Sequence, residues 1–140
     1  METEQQVNIL LVDDRPENLL ATEVILASLG QRLVRASSGR EALRFLLHED
    51  AAVILLDEPF AAVDEDTTQD LMGLVQRWRM EGRTVIAVLH DLDQVREDFP
   101  ITLLLARACI AWGETASVLT TDNLTRARKT MQELDNKGLR

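Results

Sequence analysis

Runs of apolar residues alternate along this chain with stretches of helical period, the pattern of a sheet covered on both faces by helices. Residues 7–12 are almost continuously apolar, which suits a strand buried on both sides, and residues 53–56 and 84–89 repeat the signature. Residues 32–36 form a shorter, more polar strand suited to a sheet edge, and 101–106 supply a fifth strand. Residues 108–112 are placed to fold back beside the fifth as an antiparallel hairpin.

Between the strands, Leu20, Val24 and Ala27 recur at helical spacing after Pro16 and stop at Gly30. Ser38-Gly-Arg-Glu41 has the form of a capping box, opening a helix to about residue 48. Asp64, Asp66 or Thr67 would cap a helix reaching Met80, with Leu71, Leu74, Val75 and Trp78 on one face and Gly82 at its stop. A short helix over 91–98 is closed by Pro100. Thr121 opens a last helix with Leu124, Ala127, Met131 and Leu134 inward, ending near Gly138. These elements predict one three-layer α/β domain over residues 1–140, built on a five-stranded parallel sheet with an extra antiparallel edge strand.

Composition narrows the classes of partner. At 140 residues the chain suits one domain, and its 46% hydrophobic content is that of an ordinary soluble globular protein. Fifteen Lys and Arg against 24 Asp and Glu leave a net charge of -9, which repels phosphate backbones and argues against nucleic acid. No apolar run approaches the roughly 20 residues of a membrane span, and Met-Glu-Thr-Glu-Gln-Gln does not start a signal segment, so a cytoplasmic, soluble protein is expected. Cys109 is the single cysteine, which excludes an intrachain disulfide and is expected to be a small buried core residue.

In a sheet of this kind, ligands bind beyond the carboxyl ends of the strands. Those ends carry Asp13, Asp14, Asp57, Glu58, His90 and Asp91. Carboxylates gathered there either hold a hard cation such as Mg²⁺ or have at least one raised pKa; the competing use is to cap the helices that follow.

Two sets of motifs meet at Asp57. Val7-Asn-Ile-Leu-Leu-Val-Asp13-Asp14-Arg-Pro-Glu-Asn-Leu and Ala36-Ser-Ser-Gly-Arg-Glu-Ala-Leu resemble the first half of bacterial response-regulator receiver domains, so residues 1–57 read as a receiver-like half. The resemblance implies a flavodoxin-like sheet of order 2-1-3-4-5, Mg²⁺ held by Asp13, Asp14 and Asp57, and phosphate accepted on Asp57. Beyond Asp57 the receiver pattern fails. Leu89 and His90 stand where that family has a Thr or Ser, and Leu105, Ala106 and Arg107 where it has a Lys.

Leu55-Leu-Asp-Glu-Pro-Phe-Ala-Ala-Val-Asp64 looks like the Walker B and D-loop of ATP-binding cassette ATPases, and Thr84-Val-Ile-Ala-Val-Leu-His90-Asp91-Leu like their switch-histidine segment. Gln94-Val-Arg-Glu-Asp-Phe and Gly113-Glu-Thr resemble the metal-ion importers among them, so residues 52–140 read as a cassette-like half, with the motifs lying within about 52–128. That resemblance implies Asp57 as Mg²⁺ support, Glu58 polarising the attacking water and His90 at the γ-phosphate, in a sheet of order 5-1-4-3-2. The glycines at 30, 39, 73, 82, 113 and 138 nowhere have Walker A spacing, and the Gly-Gly signature is missing.

Each half is crisp up to the junction and vanishes beyond it, which is the mark of recombination rather than drift. The chain therefore reads as an engineered chimera without catalytic activity, in which Asp57, Glu58 and His90 are vestigial. No cofactor is required, and weak Mg²⁺ binding at Asp13, Asp14 and Asp57 is the remaining chemistry. The receiver-like order 2-1-3-4-5 is expected, because consecutive strands tend to pair. A divergent receiver phosphorylated at Asp57 is one alternative, and a residual nucleotide or Mg²⁺ binder without turnover another. A poorly packed face at the junction would expose an apolar patch and favour self-association.

Overall fold

The computed structural model describes residues 5–58 and 65–138. The chain divides into two compact units, Met1–His90 and Asp91–Arg140. The first contains strands β1 (Asn8–Val12), β2 (Arg32–Ala36), β3 (Val53–Asp57) and β4 (Thr84–Val88), with helices α1 (Pro16–Leu26), α2 (Gly39–Leu46) and α3 (Glu65–Met80) between them.

The four strands form one parallel sheet of order β2-β1-β3-β4. Its register sets Leu10 opposite Val34 and Ile54, and Val12 opposite Ala36 and Leu56. β1 thus pairs with β3, whereas the cassette-like order would have put it beside β4. The polar strand β2 is an edge, as its composition predicts. All of Ile9, Leu10, Leu11 and Val12 are buried, because β1 lies inside the sheet and both its faces are covered. On one face Ile9 and Leu11 pack with Leu19, and with Leu26, Leu33, Val53 and Leu55 around them. Alternation along the strands turns Leu10, Val12, Ile54 and Leu56 the other way. Val75 and Trp78, among the largest fully buried side chains, confirm the expected inward face of α3.

The helix ends follow their sequence signals. Pro16 stands at the start of α1, and Gly30 closes the single 3-10 turn Ala27–Leu29 with φ 67°. Ser38 caps α2: its hydroxyl accepts from the Glu41 amide at 3.1 Å, while the Glu41 carboxylate accepts from the Ser37 amide at 2.6 Å. Of the candidate caps for α3, Asp66 and Thr67 fall inside the helix and Asp64 lies outside the described residues.

The helical spacing of Leu20, Val24 and Ala27 does not mark the buried face of α1. Leu19 is 6% exposed, whereas Leu20 and Val24 are 55% and 70% exposed. Pro-Glu-Asn-Leu-Leu-Ala-Thr-Glu-Val-Ile-Leu carries apolar side chains on nearly every side, so helical spacing alone does not choose the face that meets β1.

The second unit holds α4 (Leu92–Asp98), β5 (Ile101–Leu105), β6 (Cys109–Glu114), α5 (Thr115–Val118) and α6 (Thr121–Asn136). β5 was expected as a fifth strand of the parallel sheet. It pairs instead with β6 in an antiparallel sheet of two strands, so the parallel sheet has four. The reason is local: Arg107 takes φ 58° and the Ala106 amide donates to the Ala108 carbonyl at 3.0 Å, which turns the chain straight back on itself. Cys109, expected in the core, is exposed. It stands opposite Leu105 at the irregular end of the pair, on the outward side of β6.

In the same unit, buried Thr115 donates its hydroxyl to the Phe99 carbonyl and lies 2.7 Å from the Thr102 hydroxyl, tying α5 to the start of β5. The cap of α6 is Thr120, one residue before the expected Thr121, and accepts from the Asn123 amide at 3.2 Å. No residue of α6 is fully buried, and Met131, expected inward, is exposed.

Candidate functional site

The carboxyl ends of β1 and β3 lie side by side, and each continues its backbone ladder by one residue. The Asp13 amide donates to the Ala36 carbonyl at 3.1 Å, and the Glu58 amide to the Val88 carbonyl at 2.9 Å. The first bond holds Asp13 against β2 and the second holds Glu58 against β4. Glu58 does so with φ 48°, a left-handed backbone that non-glycine residues seldom adopt.

Asp13 is 7% exposed. Its Oδ1 accepts from the Arg15 amide at 2.9 Å, which turns the chain toward α1. Its Oδ2 is buried and accepts no hydrogen bond. A buried carboxylate oxygen without a donor is costly, so it marks a place where a cation or a donor fits. Half-buried Asp57 responds to it. Desolvation first, then the Asp13 and Glu58 carboxylates, hold the Asp57 carboxyl above its ordinary range, against smaller opposing effects of His90 and Arg15.

Glu58 Oε1 meets His90 Nε2 at hydrogen-bond range across the ends of β3 and β4. The structure therefore brings Asp13, Asp57, Glu58 and His90 to one edge of the first unit. Asp14 is exposed, on the rim of the same cleft. Asp91 does what the competing reading assigned to it, capping α4 by accepting from the amides of Asp93 and Gln94 at 3.0 and 3.3 Å. Among the described residues, no group of three or more His, Cys, Asp or Glu side chains is placed to hold a metal ion.

Between these acids and the helices lies a cleft of about 530 Å³. Asp13, Asp14, Asp57 and Glu58 line its sheet side, and Leu43 of α2 and Leu71 and Leu74 of α3 form its walls. Asp70 and Arg40 also reach it, and sequence reasoning missed both. Their membership follows from how closely α2 meets α3: a methyl group at Gly39 would stand 3.3 Å from Leu71 Cδ1.

No protein-family model matches the chain. Among curated proteins, the manganese transport system ATP-binding protein MntB of Bacillus subtilis is 35% identical over 99 residues, 69% of this chain and 40% of that protein. The manganese transport system ATP-binding protein MntA of Synechocystis is 37% identical over 91 residues, 63% and 35% of the two chains. A probable metal transport system ATP-binding protein of Chlamydia trachomatis is 30% identical over 125 residues, 86% and 48%. The chain thus spans less than half the length of these curated relatives.

Solved structures tell a different story. A response regulator receiver protein from Pseudomonas putida matches with TM-score 0.54 at 21% identity, over 67% of this chain and 78% of that one. A CheY-like receiver domain from Methanospirillum hungatei matches with TM-score 0.53 at 18% identity, over 92% and 99%. At such identities the likeness is one of fold.

Sequence similarity and fold similarity point in different directions. The chain joins sequence similarity to metal-transport ATP-binding proteins with the fold of receiver domains, which is the combination expected of a chimera. Asp57 belongs to both patterns.

Proposed function

We propose that this chain is an engineered scaffold in which receiver-like β-α units replace the nucleotide-holding part of a metal-transport ATPase, and that its residual chemistry is weak Mg²⁺ binding without turnover. The observation that carries this reading is the setting of Asp57. On one side it has the receiver-like partner Asp13, whose Oδ2 lacks a donor, and on the other the cassette-like pair Glu58 and His90.

Both sets are incomplete. For phosphate transfer to Asp57, β4 is followed by Leu89 and His90, so neither position there supplies a hydroxyl for phosphoryl oxygens. For ATP hydrolysis, Glu58 has a base's position but no Walker A loop to hold a phosphate before it. Asp13 and Asp57 offer oxygen donors of the kind Mg²⁺ takes, with Asp14 at the rim and water completing the shell, and bound Mg²⁺ would neutralise their repulsion. Because no third acid is placed with Asp13 and Asp57 to complete a metal site among the described residues, that binding is weak.

A Mg²⁺ titration followed by ¹⁵N NMR tests the reading. Expected are saturable shifts at Asp13 and Asp57 in the millimolar range, no mass gain on incubation with acetyl phosphate, and no phosphate release from ATP. A stoichiometric aspartyl phosphate would establish the receiver alternative in its place; sustained ATP turnover would establish the ATPase one.

A further inference from the structure

Most of the cleft beside Asp13 is unexplained by a metal ion, because an ion would use only its acidic corner. We infer that the cleft binds an organic cation with an apolar body, such as an amidinium or primary ammonium carried on an aromatic or aliphatic ring.

Size is the first argument. About 530 Å³ lies within the roughly 300–1,000 Å³ typical of small-molecule sites. The second is the lining, which separates into two chemistries. Leu43, Leu71 and Leu74 on the helices present an apolar wall. Five carboxylates (Asp13, Asp14, Asp57, Glu58 and Asp70) face the same space against one guanidinium, Arg40. Such a cleft favours a positive group and an apolar body at once.

The third argument is the orphan acceptor. Asp13 is more than nine-tenths buried and lines the cleft, and its Oδ2 has no hydrogen-bond donor. A ligand N–H⁺ would supply that donor, and a charge-assisted bond to a carboxylate is among the stronger kinds available.

An anion is disfavoured at the same place. The start of α2 borders the cleft, but its capping box is closed on itself: the Glu41 amide is bonded to Ser38 and the Ser37 amide to Glu41. Those amides are taken, and the surrounding carboxylates repel a phosphate.

The test is a titration of the full chain, without Mg²⁺, with benzamidine, its neutral isostere benzamide, and benzoate, read by ¹⁵N NMR and calorimetry. Benzamidine should shift the amides of Asp13, Leu43, Leu71 and Leu74 and bind roughly tenfold or more tightly than benzamide, with benzoate weakest. Asp13→Asn should lower benzamidine affinity by about tenfold and leave benzamide unchanged, whereas Leu74→Ala should weaken both ligands. Equal binding of benzamidine and benzamide, shifts confined to other surfaces, or no binding of any of the three overturns the inference. Should Asp13→Asn fail to fold, Asp57→Asn replaces it, with the same loss of preference for the cation expected. Because Mg²⁺ is tested separately, benzamidine binding with no response to Mg²⁺ would overturn the metal reading and leave this one standing.

Discussion

Asp13 and Asp57 end neighbouring parallel strands, one step beyond the Val12–Leu56 pairing, and the Asp13 carboxylate adds to burial in holding the Asp57 carboxyl above its ordinary range. The two acids share a cleft, and Asp13 Oδ2 accepts no hydrogen bond. The arrangement is under electrostatic tension.

That tension has a sign. A carboxyl whose folded pKa exceeds its unfolded value binds more protons in the folded state between the two values, so stability falls as pH rises through that window. Asp57→Asn removes the group. The variant should be more stable than the parent at neutral pH, and the difference should vanish below the ordinary aspartate pKa of about 3.9. Urea denaturation of both proteins across the acid range checks this.

Glu58 holds a backbone angle suited to glycine, φ 48°. Left-handed geometry costs a residue with a Cβ about 1–2 kcal/mol, partly offset by the roughly 0.5–1 kcal/mol greater freedom of glycine when unfolded. Both Glu58→Gly and Glu58→Ala lose the His90 contact, but only alanine keeps the strain, so the glycine variant should be about 0.5 kcal/mol the more stable of the two. Equal stabilities of the two variants by denaturant titration would refute this.

Ser38 begins α2 with a reciprocal cap. Ser38→Ala should cost about 1 kcal/mol and Ser38→Gly only a few tenths, read as shifts in the urea midpoint. The Glu41 carboxyl is held below its ordinary value by the Ser37 amide, so its contribution is present above the usual glutamate range and fades as pH falls through the lowered value.

The face of α1 can be read by paired truncations. Leu19→Ala should cost about 2–5 kcal/mol, because Leu19 packs against Ile9 and Leu11, whereas Val24→Ala on the exposed side should stay within about 0.5 kcal/mol. Comparable losses would place both residues in a packed interface.

Where a signal is local, the chain declares it. The β1 and β3 runs, the α2 capping box, the glycine stops at Gly30 and Gly82, and the hairpin after β5 all depend on a few adjacent residues. Each appears within one or two positions of where spacing puts it. The acids at the strand ends were legible for the same reason, since a strand's carboxyl end follows from where its apolar run stops.

Choices among nearly equal contacts were not legible. The apolar girth of α1 left its inward face open until β1 and Leu19 met. The apolar residues of 101–106 suit a parallel fifth strand as well as a hairpin strand, and the tight turn at Arg107 settled the pairing. Cys109 came out exposed because a two-stranded sheet turns alternate residues outward. The partnership of Asp13 with Asp57 depended on β1 entering between β2 and β3, and that of Glu58 with His90 on β4 pairing beside β3. Residue types and strand ends are written in adjacent residues, but strand order sums many distant contacts of similar energy, and only packing resolves them.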